Sequence, residues 1–181
     1  MSKKITKAQQ QKMDDKLHRS NLIKISRRDI KINIVAFDQA TKCGVAFQIV
    51  GGKPEAQLWD MTLKSKESQG MKWIRFESKV RELLKSKKIK VLAYELPAGR
   101  NINPIIHSSK MICILEKTCS ELDIEYVEFS AGEIKKFATG NGAAGKPLMI
   151  EYAKKLWGYE GEDDNEADAL HILHLLKSKI N

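Results

Sequence analysis

The sequence predicts an α/β fold, one mixed five-stranded sheet flanked by helices, preceded by a basic N-terminal arm. Three observations carry this reading. Between residues 32 and 63, three short apolar segments follow one another with connections too short for a helix, as in an antiparallel meander. From residue 65 onward, segments of helical period alternate with two short strands, the pattern that adds parallel strands to a sheet. A length of 181 residues suffices for one hydrophobic core and not for two substantial domains.

Charge sets the arm apart. Of a formal net charge of +9, the stretch from Met1 to Lys31 carries +7: ten basic residues (Lys3, Lys4, Lys7, Lys12, Lys16, Arg19, Lys24, Arg27, Arg28, Lys31) against Asp14, Asp15 and Asp29. A near-neutral domain with a basic arm, residues 1–30, suits a phosphate-rich partner; a solvated tail is the plainer alternative. Residues 5–23 are polar apart from Ile5, Met13, Leu17, Leu22 and Ile23. The arm is therefore expected to be flexible or marginally helical, extended and mobile until it meets a partner. No run approaches the ~20 apolar residues of a membrane span, and the basic N-terminus has no apolar segment behind it. A membrane partner is not expected, and a cytoplasmic location is. Cys43, Cys113 and Cys119 are odd in number and lack zinc-site spacing, so they read as reduced thiols.

The domain proper, residues 31–181, opens with Ile32, Ile34 and Val35 to Phe37, a β-branched run that reads as a central strand ending at Asp38. Gly44 permits a turn. Residues 45–50 then read as a second strand and 57–63 as a third. Met71, Ile74, Val80, Leu83 and Leu84 recur at helical spacing within 65–86, and a short strand over 90–95 follows. A loop bearing Pro97, Gly99 and Pro104 leads to a helix over 105–122 and a strand over 124–129. Ser130 with Glu133 is a capping-box pattern opening a helix over 131–138. A glycine-rich loop, 139–145, precedes helices over 146–157 and 162–179. Gly140, Gly142 and Gly145 either cradle a phosphate at a helix N-terminus or form a plain connector. Trp59, Trp73 and Trp157 read as core.

The acids carry the chemistry. Asp38 and Glu95 each end a strand, where ligands gather in α/β sheets. If the two strands are neighbours, their carboxylates face one another, and a divalent cation is the usual remedy for their repulsion. In DDNEADALHILHLL, Asp164 and Asp168 share a helix face, with Asn165 beside them and His171 continuing the stripe. The rest of that helix is apolar nearly all round, so Asp168 is expected to be buried and to need a cation or donors. Singly, each acid has an ordinary reading, Asp164 as a helix N-cap and Glu95 as an ion-pair partner. Together they suit an oxygen-only site for Mg²⁺ or Mn²⁺. Two such ions about 3.5–4 Å apart promote phosphodiester hydrolysis.

FDQATKCGVAF resembles the opening motif of the RuvC-type Holliday-junction resolvases of bacteriophages and Gram-positive bacteria, in the ribonuclease H-like superfamily. AYELPAGRN resembles their second carboxylate motif and DDNEADALHI their closing Asp-x-x-Asp-Ala motif. FSAGEIKKFATGNGAAGK is similar to the segment that brings basic residues to the DNA backbone. The resemblance runs over residues 32–176 in the family's order. It implies a ribonuclease H-like fold with Asp38, Glu95 and Asp168 as catalytic metal ligands, two Mg²⁺ per site, and Mn²⁺ able to substitute. Lys146 would contact phosphate, with Lys135 or Lys136 a second contact. Arg100, Asn101 and Ile102, in the loop after Glu95, are candidates at the junction. Where many relatives place an acid or histidine three residues before the last aspartate, this chain has Asn165. Asp164 is favoured as fourth ligand, with Asn165 or His171 as alternatives. The long basic arm is not part of the family pattern.

The implied activity is Mg²⁺-dependent cleavage of branched, four-way DNA, in the host cytoplasm if the source is a phage. Paired nicks on a two-fold substrate suggest a homodimer. The helix over 105–122, with Ile106, Met111, Ile114, Leu115 and Leu122, is the candidate interface, although the same positions could face the protomer's own core. Two other functions compete. One is a nuclease of this fold acting on RNA–DNA hybrid. The other is an actin-like or sugar-kinase ATPase, whose first phosphate hairpin also reads Asp-x-x-Thr-x-x-Gly. That fold needs a second such hairpin in a duplicated domain, which is absent, so no nucleotide cofactor is expected. A binding protein with a degenerate site is disfavoured while all three carboxylates persist.

Overall fold

The computed structural model describes residues 7–27 and 29–180. After helix α1 (Lys7–Arg27) come β1 (Ile34–Asp38), β2 (Lys42–Gln48), β3 (Glu55–Asp60), α2 (Gln69–Ser86), β4 (Val91–Glu95) and α3 (Ile102–Glu121). The chain continues through β5 (Glu125–Phe129), α4 (Ala131–Thr139), α5 (Lys146–Trp157) and α6 (Asp164–Lys179). The sheet order is β3-β2-β1-β4-β5. β1, β2 and β3 form the antiparallel meander, while β4 and β5 add in parallel.

Strand side chains alternate between faces, and here each face has its own core. On β1, Ile34 and Ala36 join the core beneath α4, α5 and α6, whereas Val35 and Phe37 join the core beneath α2 and α3. β4 divides likewise, Val91 and Ala93 against Leu92 and Tyr94. The parity carries Asp38 and Glu95 to the α6 side. Helix α6 is buried from Ala167 through Leu176 apart from half-buried Asp168, as expected for a helix apolar nearly all round.

Two expectations need correction. Over Lys7–Arg27 the arm takes the helical of its two expected forms, α1, but it is seated on α5 and α6 and not extended as expected for the free protein. Leu22 is buried, and Arg19 donates to the Tyr152 hydroxyl at 2.9 Å while lying over its ring. Helix α3 begins at Ile102, capped by the Asn101 side chain, because Pro104 falls in the first turn, where no backbone N–H is required. Its apolar stripe mostly faces inward: Met111 and Leu115 are buried and Ile114 and Leu122 partly so, leaving Ile106 and neighbouring Ile102 exposed. The interface expected on α3 is reduced to that edge. Cys43, Cys113 and Cys119 are free thiols, and no helix among the described residues is long and apolar enough to cross a membrane.

Candidate active site

Phe37 and Tyr94 are the last paired residues of the parallel β1–β4 ladder, so Asp38 and Glu95 close adjacent strands side by side. Asp38 also pairs with Gly44 across the hairpin. Gly44 leaves no room for a side chain: a Cβ there would fall 1.9 Å from the Asn165 carbonyl oxygen. Strand β2 and the first turn of α6 thus meet backbone to backbone, which brings the helix N-terminus over the strand ends. The N-cap of α6 is Asp163, whose carboxylate accepts from the N–H groups of Asn165 and Glu166 at 2.9 and 3.2 Å. Asp164 is therefore free of capping duty, and Asp168 follows one turn later.

The carboxylates that meet here disfavour their own ionisation. Burial, then the charges of Asp168, Glu95 and Asp164, raise the Asp38 carboxyl well above the usual range. Burial, Glu95 and Asp164 push Asp168 up to about 7, and burial raises Glu95. Asp168 Oδ1 is buried without a hydrogen-bond partner. Two cations temper the cluster. Lys146, the first residue of α5, is ion-paired with Asp164, and its charge also reaches Asp168 and Asp38. Lys135 on α4 acts on Glu95 and Asp168. Among the described residues, no three acidic, histidine or cysteine side chains already enclose a single ion, and the Asp164–Lys146 pair takes one carboxylate out of the set. An all-oxygen donor set, an orphaned buried carboxylate oxygen and like-charge repulsion that the two lysines only partly offset nevertheless fit Mg²⁺ or Mn²⁺.

His171 does not fit as a ligand. Its Nδ1 accepts from the Trp157 indole N–H at 2.8 Å and its Nε2 faces the Met149 carbonyl at 2.9 Å, so both ring nitrogens are committed. Burial holds it at about 4, a neutral core histidine. Asn165 turns its amide nitrogen to Asp163 at 3.3 Å and its backbone to Gly44. Lys136 is exposed, whereas half-buried Lys135 faces the cluster. Arg100 is exposed in the loop between β4 and α3. Gly145 caps α5 without a side-chain bond. Trp59 packs edge-on against Phe37 and Phe76, and Trp157 lies flat on His174 at 3.8 Å, as core aromatics do. Sequence reasoning passed over Gln39 and Ser108. Buried Gln39 donates its amide to the Glu95 carbonyl, and Ser108 donates to the Gln39 carbonyl at 2.8 Å. Nothing in their residue types marks them.

A five-stranded sheet of this order, flanked by helices on both faces, matches the ribonuclease H-like architecture. Within it, the chain has a RuvC-like fold. The structure of Thermus thermophilus RuvC superposes with a TM-score of 0.67 at 16% identity, covering 82% of this chain and 95% of that one. RuvC of the same organism in complex with Holliday junction substrate gives 0.67 at 17%, covering 79% and 91%. Ydc2, the yeast mitochondrial Holliday junction resolvase, gives 0.59 at 12%, covering 90% and 84%. No protein-family model and no curated protein matches the sequence, so the likeness is one of fold.

Proposed function

We propose that this chain is a divalent-metal-dependent endonuclease that cuts four-way or otherwise branched DNA. One observation supports the reading: Asp38, Glu95 and Asp168 lie within reach of one another's charge at the strand ends of a RuvC-like fold, one Asp168 oxygen without a partner, with Lys135 and Lys146 at the rim. Structures of this shape include one determined with Holliday junction substrate.

Asp38, Glu95 and Asp168 would hold Mg²⁺ or Mn²⁺, with Asp164 the fourth ligand once it leaves Lys146. Such ions, when bound in pairs, activate water and stabilise the leaving oxygen in phosphodiester hydrolysis. The remaining steps belong to the side chains. Asp38 and Asp168 give up the protons that burial and crowding retain. Lys146 exchanges Asp164 for a backbone phosphate, and Lys135 takes a second phosphate on the Glu95 side. The basic arm, with α1 at its centre, adds phosphate contacts without base information. Two copies related by a two-fold axis would place paired sites on a two-fold junction, with the exposed Ile102 and Ile106 edge of α3 between them.

The test is cleavage of a synthetic four-way junction beside linear duplex and RNA–DNA hybrid, with and without Mg²⁺. Cleavage confined to the junction and dependent on Mg²⁺ supports the reading; preferential cleavage of the hybrid moves it to another nuclease class.

A further inference from the structure

The paired residues of the β1–β4 ladder stop at Phe37 and Tyr94, one residue short of the acids. No further β1–β4 pairing therefore sets the separation of Asp38 and Glu95. The next residue spans that seam. Gln39 follows Asp38 directly, is 4% exposed, and donates its side-chain amide to the backbone carbonyl of Glu95. On the far side, Glu95 is in register with Phe129, whose carbonyl accepts from the Leu96 N–H at 2.8 Å.

Gln39 is itself held from behind. Its backbone carbonyl accepts the Ser108 hydroxyl of α3 at 2.8 Å. The preceding α3 residue, His107, bonds the backbone of Ala40 and packs on Trp73 of α2 with ring centres 5.2 Å apart. Consecutive residues of one helix thus fasten the segment 38–40. The Gln39 Oε1 is buried without a hydrogen-bond partner.

We propose that Gln39 and Ser108 are positioning residues that hold the Asp38 and Glu95 carboxylates at the separation metal capture requires, so that α3 braces the catalytic centre. The proposal rests on the metal-dependent reading above. It also links the exposed edge of α3 to the site, since Ile102 and Ile106 precede Ser108 on the same helix.

The experiment is a Mn²⁺ titration of the full chain without DNA, followed by electron paramagnetic resonance, for wild type, Gln39→Met, Ser108→Ala, Ser108→Thr and Asp38→Asn. Gln39→Met keeps the side-chain length and removes the amide; Ser108→Thr keeps the hydroxyl. Residues that orient ligands typically change metal affinity about 10–100-fold. Gln39→Met is expected to weaken Mn²⁺ binding within that range, Ser108→Ala to weaken it several-fold, and Ser108→Thr to restore it, with metal-free melting temperatures close to wild type. Wild-type affinity in both Gln39→Met and Ser108→Ala overturns the brace while leaving the centre standing. If Gln39→Met does not fold, the Ser108 pair decides alone. Equal Mn²⁺ binding by wild type and Asp38→Asn would instead remove the metal centre, and the brace with it.

Discussion

Two groups of acids in this molecule obey opposite rules. Between α2 and α3, Glu77 accepts from Arg81 at 2.9 Å and from Lys117 at 3.1 Å, and Glu121 is matched by the same two cations. Those hydrogen bonds hold both carboxyls below their usual range. At the ends of β1 and β4 the carboxylates are less exposed and more crowded, and they are pushed upward. Acids that serve only the fold are neutralised by the fold. Those left short of counter-charge are the ones the proposed metal would occupy, and each prediction below sets one group against the other.

The largest contrast is in catalysis. Asp38→Asn, Glu95→Gln or Asp168→Asn should each abolish junction cleavage while junction binding, measured by anisotropy in EDTA, survives on the lysines. Full cleavage by Asp168→Asn would remove that residue from the site. Glu77→Gln should cleave as wild type does.

Next comes Gly44→Ala, which alters no acid. Its methyl would collide with the Asn165 carbonyl, so α6 must shift and carry Asp168 away from Asp38. Overpacking of this kind typically costs about 1–3 kcal/mol, and here metal binding should weaken along with thermal stability. Wild-type Mn²⁺ affinity in this variant would show that the spacing is not set by the close approach.

The third contrast is with pH. Asp168 has its folded-state value raised to about 7, so its folded form holds a proton that the unfolded chain, titrating near 4, has already lost. Its contribution to stability is complete below about 4 and disappears as pH rises through about 7. Metal-free protein should lose stability across that window, and Asp168→Asn should flatten the loss. Mn²⁺ affinity should rise over the same range with proton release, which calorimetry in buffers of different ionisation enthalpy would detect. Glu77 predicts the reverse sign, stability lost as pH falls.

Smaller still is the arm. Deleting residues 1–30 should weaken junction and duplex binding together and flatten the plot of log affinity against log salt by about four, with cleavage at saturating DNA little changed. An unchanged slope would assign α1 to another protein. Smallest is Glu77→Gln itself, worth under roughly 1 kcal/mol in a chemical denaturation series, because Lys117 is exposed and Arg81 only half-buried.

Much of the fold was legible because it rests on local periodicity. Strand parity puts Asp38 and Glu95 on one face, the apolar girth of α6 announces its burial, and the Ser130–Glu133 capping box forms with both of its bonds. What was not legible depends on distant partners. Ten basic residues concealed the anchoring of α1, because Leu22 and the Arg19–Tyr152 contact, 133 residues apart, have meaning only once α5 is in place. His171 sits on the stripe of Asp164 and Asp168, yet Trp157 and Met149 claim it. Spacing also could not foresee that Lys146 would occupy Asp164. An apolar stripe on α3 says that something covers it and not whether that is the protomer's own core.

The stacking of Trp157 on His174, with the rings 10° from parallel, and its indole bond to His171 give the molecule an optical handle. Both histidines ride on α6, the helix that bears Asp168, so the indole lies against the helix that would carry the proposed ligand. Excited indole is sensitive to a stacked imidazole and to its protonation. In a Trp73→Phe variant, emission from Trp157 would therefore report the seating of α6 without any label, over the background of Trp59, which packs edge-on against Phe37 and Phe76.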